Sequence, residues 1–280
     1  MPGIAVQNFL VLINHRDLSK MIQKQFVEHV LTIIKDNPEI IGLAIGGSWI
    51  TDEIDEYSDL DLILITKEKI SDDKNKMFSL AKTFGNLLNA FTGEHVGENR
   101  LLICLYDNPL LHVDIKFLII DEFYNRVEDP CVYWERNNCL TDIINSTESE
   151  WPEFDFQWIE DRFWTWIHYA TLKLGRGECF EALDFLSYLR INVTAPLLQI
   201  KNGNLPRGLR KIEFNFKKTD IDRLSETVPA YSAQDIFISL EKTIILYKEL
   251  REILFPDSIV LHIETELKVL DYFYEIKNKR

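Results

Sequence analysis

Asp59 and Asp61 stand one residue apart at the head of an apolar run that continues through Leu62, Ile63 and Leu64. In a strand, residues i and i+2 project to the same face, so both carboxylates enter one site while Leu60 and Leu62 enter a core. A third acid, Asp114, interrupts the apolar run Leu111 to Ile120. A carboxylate in such a run is costly unless it is paired or bound to a metal. Three carboxylates on neighbouring strands would suit hard cations such as Mg²⁺. Upstream, Gly46-Gly47-Ser48 ends another apolar run. Two residues without side chains let backbone amides approach a phosphate, Ser48 adds a hydroxyl, and a helix opening after it would turn its N-terminus to the anion. Singly, each feature is ordinary, since acids often cap strands beside turns. Their order along the chain makes them specific together.

The elements that must position these residues follow from hydrophobic period. Leu18 to Lys35 places Met21, Phe26, Val30 and Ile33/Ile34 at helical steps, and Asn37-Pro38 ends that helix. Ile40 to Ile45 reads as a buried strand stopped by Gly46-Gly47-Ser48, and Leu60 to Thr66 as a strand buried on both faces. Asp72 to Leu88 returns to helical period through Met77, Leu80, Ala81, Phe84 and Leu87/Leu88. Leu101 to Tyr106 and Leu111 to Ile120, with Asp107-Asn108-Pro109-Leu110 between them, predict a hairpin. The order α-β-β-α-β-β describes a small domain with a mixed sheet, assigned to residues 1–125.

Asp121 to Asp161 holds twelve acidic residues against Arg126 and Arg136, with Pro130 and Pro152. It reads as an acidic connector over residues 126–153, partly structured by Tyr133, Trp134 and Trp151. From residue 154 to 280 every pattern is helical. Phe156, Ile159, Phe163, Ile167, Ala170 and Leu174 form one stripe, closed by Gly175 or Gly177. Glu178 to Ile200 predicts a second helix bent or divided at Pro196. Ser232 to Leu254, opened by Ser232 with Asp235 three residues on, is a third, and His262 to Ile276 a fourth. The fold class is α+β, a mixed sheet with helices followed by an all-α bundle.

The ordered set Gly47-Ser48, Asp59-x-Asp61 and His112-Val113-Asp114 resembles the nucleotidyltransferase superfamily, whose pattern is Gly-Ser, a short spacer, Asp-x-Asp and a later strand with a third Asp. More narrowly, Phe163-Trp164 through Ala170, Lys173, Gly175-Arg176-Gly177-Glu178 and Ala182-Leu183-Asp184 are similar to the helical half of antibiotic nucleotidyltransferases of the aminoglycoside and lincosamide adenylyltransferase type. The resemblance implies transfer of a nucleoside monophosphate, AMP from ATP, to a hydroxyl of a small molecule such as an aminoglycoside-like antibiotic. It implies two Mg²⁺ ions on Asp59, Asp61 and Asp114, and a nucleoside triphosphate on Gly47, Ser48 and Lys173. The proton acceptor stays open between Asp114 and a separate acid, with Glu94 and Asp161 as candidates. One departure stands out: many members carry Gly four residues after the motif Ser, where this chain has Asp52. That adds negative charge beside the expected triphosphate. Alternatives are a catalytically weak, antitoxin-like protein of this fold that binds nucleotide or a partner, and an enzyme that modifies a protein hydroxyl.

Composition bounds the partners. The chain has 280 residues, 46% of them apolar, and a net charge of −14, which excludes a disordered chain. So acidic a chain lacks the field that draws proteins to nucleic acid or anionic membranes, and favours a cationic acceptor. No apolar run reaches the length of a membrane helix, and Phe9 to Asn14 is too short and lacks the basic flank of a signal peptide. Cys104, Cys131, Cys139 and Cys179 form no CxxC pair and read as free thiols in a cytoplasmic protein. Lys173 also reads as a solvated helix-end lysine, and the basic stretch Lys201 to Arg223 as a solvated loop and helix face. Trp158, Trp164, Trp166 and Tyr169 have core spacing, with one or two free to line an acceptor pocket. His95, His112 and His168 carry no role beyond packing or surface.

Overall fold

A computed structural model describes residues 22–279 and divides them at Pro152/Glu153 into two compact units. The first is built on a six-stranded sheet in the order β3-β4-β5-β2-β1-β6. Its strands are β1 (Ile40–Ile45), β2 (Leu60–Thr66), β3 (Asn86–Gly93), β4 (Glu98–Asp107), β5 (Leu111–Leu118) and β6 (Cys131–Glu135). Only β2 and β5 run parallel; the other neighbours are antiparallel.

Helix α1 (22–34) lays Val27, Val30 and Ile34 on one face of this sheet, beside Met77, Ala81 and Phe84 of α2 (Lys74–Ala81) and the turn after it. Leu18 to Met21, the start of the expected first helix, and the run Phe9 to Asn14 lie outside the described residues. The other sheet face is covered at one end by α3 (Ile120–Phe123) and α4 (Cys139–Ser146), through Phe123, Leu140 and Ile143 against Ala44, Ile65 and Leu118. The remainder of that face carries the acids.

Three expectations change. The helix expected over Asp72 to Leu88 gives way at Gly85, and Leu87 and Leu88 begin β3, the sheet's edge strand. Its side chains alternate poorly between buried and exposed, so an edge strand with two register shifts leaves no clean period to read. Ile119 and Ile120 leave the fifth strand, and Ile120 opens α3. The expected acidic connector is built into the first unit: β6 pairs with β1 from Gly42–Glu135 to Ile45–Cys131, and Tyr133 packs edge-on to Trp49. The acidic, proline-bearing composition hides this, because a short strand gains its stability from backbone pairing, which charge content does not reveal.

The second unit is helical. Helix α5 (Phe156–Arg176) is capped by the Asp155 carboxylate at Trp158 N and ends on Gly177 at φ 84°. Then follow α6 (Cys179–Leu189), one π-helical turn (Arg190–Thr194) and α7 (Ala195–Lys201), so the second helix is divided just before Pro196 as expected. The basic stretch forms the short α8 (Ile212–Asn215) and α9 (Lys218–Ser225), where Asp220 takes Lys201 at 2.7 Å. Helix α10 (Ala233–Leu254) starts on Ser232, whose Oγ accepts from Asp235 N, and α11 (Ile263–Asn278) closes the unit. Phe163, Trp164, Leu174, Leu186, Tyr247 and Phe273 fill its core. No helix among the described residues is long and apolar enough to cross a membrane.

Candidate active site

The parallel pairing of β2 and β5 sets Asp61 directly opposite Asp114, and Leu60 opposite Val113. Asp59 immediately precedes β2, close enough for its charge to act on Asp114. Side chains at i and i+2 of a strand share a face, so His112 and Asp114 stand with Asp61 in an array on one side of the sheet, with Asp59 at its edge. Leu60, Leu62, Val113 and Ile115 point the opposite way into the core beneath α1 and α2. The burial that drives the strand into the sheet is what lifts the carboxylates out of it.

The turn after β1 closes this array. Gly46 N donates to Asp61 O at 2.9 Å, tying the turn to β2. Gly47 stands at φ 60° and its backbone abuts the Asp61 carboxylate so closely that a Cβ there would overlap Oδ2. Glycine is thus required twice at this position, by its backbone angle and by the carboxylate lying against it. Gly47–Trp49 makes a single 3-10 turn, not the opening of an α-helix, so the expected helix dipole is missing and phosphate affinity here would rest on local amides and Ser48. Asp52, at the position where a Gly was expected, has φ 55°, a left-handed angle that Asp tolerates better than most residues.

The segment between turn and acids is held by a residue the sequence did not single out. Gln23 of α1 is 3% exposed and donates from Nε2 to Ser58 O at 2.8 Å and Asp55 O at 3.2 Å. Asp55 and Ser58 also lock each other: Asp55 N donates to Ser58 Oγ, and Ser58 Oγ to Asp55 Oδ1, both at 3.0 Å. Asp59 follows immediately, so its placement depends on this tether. Nothing in the period of α1 distinguishes Gln23 from a surface residue.

The sequence likewise assigns His112 no role beyond packing or surface, yet its Nε2 lies 2.9 Å from Asp114 Oδ1. The signal was available, since His112-x-Asp114 repeats the i, i+2 spacing of Asp59-x-Asp61. Burial pushes the Asp114 carboxyl above its ordinary range; His112 pulls it down, and the nearby charge of Asp59 adds to the rise.

Among the described residues no three His, Cys, Asp or Glu side chains converge into a metal-holding cluster as they are turned here. Asp114 is directed to His112 and Asp61 against Gly47, so the expected triad is a row on one sheet face and not a closed cage. The donor set suits Mg²⁺ in kind, being carboxylate oxygens only, and in placement, with Asp61 and Asp114 in register.

Of the other candidates, Glu94 lies apart from this array within the first unit, and Asp161 and Lys173 are engaged within the second. Glu94 sits in the turn joining β3 to β4, where it takes Thr92 and Lys74. By the β4–β5 register it lies about five residues past Asp114, roughly 15 Å along the strands. That distance removes it as a base for chemistry at Asp114. Asp161 belongs to the second unit, accepts from Gln157 and meets His262 at 2.9 Å. Lys173 is also in the second unit; its Nζ meets Glu181 at 2.8 Å and Glu178 at 3.0 Å, and these carboxylates raise its pKa.

No protein-family profile matches the chain, and no curated protein does. Solved structures similar to it include an aminoglycoside 6-adenyltransferase from Bacillus subtilis, with 13% identity over 91% of this chain and 98% of that one, at a TM-score of 0.40. A nucleotidyltransferase-like protein from Exiguobacterium sibiricum shares 13% identity over 91% and 80% of the two chains, TM-score 0.35. A spectinomycin adenyltransferase from Enterococcus faecialis shares 11% identity over 92% and 99%, TM-score 0.30. Likeness at this level concerns distant shape and assigns no residue a role.

Proposed function

We propose that the chain transfers a nucleoside monophosphate, AMP from ATP, to a hydroxyl of a small molecule in a metal-dependent reaction. The observation that supports this most is the in-register placement of Asp61 and Asp114 on adjacent parallel strands, with Asp59 beside them and a glycine turn against Asp61. Two carboxylates set side by side repel and cost stability, and a site that handles cations and phosphates offsets that cost.

In this reading Asp59, Asp61 and Asp114 would hold two divalent cations, Mg²⁺ in kind. When bound, these supply neutralisation of the triphosphate charge and alignment of the reacting oxygens. Gly47 admits the triphosphate to the backbone, and Ser48 offers a hydroxyl to it. The acceptor oxygen attacks the α-phosphorus, the bond from that phosphorus to the bridging oxygen breaks, pyrophosphate leaves, and the hydroxyl proton passes to the Asp114 carboxylate or to water. Lys173 serves a phosphate only by exchanging Glu178 and Glu181 for it. The net charge of −14 favours a cationic acceptor, and an aminoglycoside-like one is the specific form of this proposal.

The test is incubation with Mg²⁺, labelled ATP or GTP, and a panel of aminoglycosides and lincosamides, beside an Asp59→Asn/Asp61→Asn variant. Label on a small molecule that vanishes in the variant is the expected result. Nucleotide binding without transfer to any acceptor would overturn the enzyme reading in favour of a nucleotide-binding protein.

A further inference from the structure

Helices α5 and α6 carry a row of five aromatic rings in successive contact. Trp158 meets Trp166 with centroids 5.3 Å apart, Trp166 meets Tyr188 at 5.3 Å, Tyr188 lies near-parallel to Phe185 at 5.5 Å, and Phe185 meets Tyr169 at 5.0 Å. Each end is covered by a cation of the chain itself. The Arg162 guanidinium lies 4.6 Å from the Trp158 ring and the Lys173 ammonium 5.0 Å from that of Tyr169. The row therefore binds cations at both ends, as the negative faces of its rings dictate.

The middle of the row has no such cover among the described residues. A cavity of about 400 Å³ opens there, lined by Trp166, Tyr169, Phe185 and Tyr188 with Thr165, Glu181 and Asp184 at its edge. Glu181 is engaged, by Lys173 and by the Tyr169 hydroxyl. Asp184 is exposed and pairs with no cation among the described residues. Rings that attract positive charge thus line an open depression of ligand size, with the Asp184 carboxylate and the Thr165 hydroxyl on its rim.

We propose that this cavity binds a small organic cation bearing a protonated amine. The charge sits against the rings of Trp166 and Tyr188, and its N–H groups donate to Asp184 and to the Thr165 hydroxyl. A quaternary ammonium would satisfy the rings but leave both acceptors unused, and a neutral ligand would forfeit the attraction that Arg162 and Lys173 already display. The site lies wholly within the helical unit and does not rest on nucleotidyl transfer, so either proposal can fail while the other stands.

Three linear probes of equal length separate the possibilities: 1,6-hexanediamine, hexamethonium and 1,6-hexanediol, each titrated calorimetrically into the full-length protein at low and at 150 mM salt. The diamine is expected to saturate at one per chain and to bind more tightly than hexamethonium, with hexanediol giving no saturable heat. Asp184→Asn and Tyr188→Leu should each weaken the diamine at least tenfold, whereas Glu148→Gln/Glu150→Gln, which removes two charges from the other unit, should change it less than twofold. Circular dichroism and melting temperature establish that the variants remain folded. Absence of saturable diamine binding, equal loss in the Glu148/Glu150 variant, or hexanediol binding as well as the diamine would overturn the proposal. Tighter binding of hexamethonium would overturn its assignment to a protonated amine.

Discussion

Replacing Gly47 by alanine would separate the fold from the site. The residue stands at φ 60°, where a Cβ costs about 1 kcal/mol, and that Cβ would overlap Asp61 Oδ2 and stand 3.1 Å from Asp61 Cγ. The overlap involves the far end of a side chain, so the Asp61 carboxylate can swing away at a further cost of about 1 kcal/mol for a strained rotamer. A total near 2 kcal/mol should lower the melting temperature by roughly 4–8 °C in differential scanning calorimetry, which is tolerable for a domain of this size. The same movement removes one of the three carboxylates from the array. Mn²⁺ affinity, followed by electron paramagnetic resonance, should fall at least tenfold, about 1.4 kcal/mol. The decisive measurement is a double-mutant cycle with Asp61→Ala. If Gly47→Ala acts on the metal through Asp61, its effect on affinity disappears once Asp61 is gone. Additivity of the two losses to within about 0.4 kcal/mol would refute the mechanism, as would unchanged Mn²⁺ affinity in Gly47→Ala.

Gln23→Met keeps the shape of the side chain but removes both hydrogen bonds to the 55–58 segment; a loss of about 1–2 kcal/mol and faster amide exchange over residues 55–61 are expected, with unchanged exchange there counting against the tether. Glu160 is 1% exposed and accepts from Tyr247 Oη, Trp164 Nε1, His262 N and Arg251, so Glu160→Leu should cost about 3–5 kcal/mol and lower the melting of the helical unit by roughly 12–20 °C. The paired Arg100 guanidinium, with Lys116, holds the Glu98 carboxyl down at about 2. Its folded pKa lies below the unfolded value, so the stability it contributes is present above pH ~4.5 and is lost as pH falls from there to about 2. That contribution is ~2 kcal/mol after solvent screening, and Glu98→Gln should flatten the acid limb of the stability–pH curve by that amount.

What could be read from residues alone is what depends on local period and local chemistry. Leu60 to Thr66 and most of Leu111 to Ile120 announce themselves as unbroken or nearly unbroken apolar runs, the stripe from Phe156 to Leu174 because burial of one face repeats at 3.6 residues, and the Ser232 cap because it needs only a neighbour three positions on. The same logic put Asp59 and Asp61 on one face. Strands β3 and β6 stayed hidden, since an edge strand owes its existence to a partner that its own residues do not name. The meeting of Asp61 with Asp114, of His112 with Asp114, of Gln23 with the 55–58 segment and of Gly47 with a carboxylate was decided by strand register and chain crossing. Those contacts span up to about fifty residues of sequence, and only the burial of the opposite sheet face fixes which residues stand level.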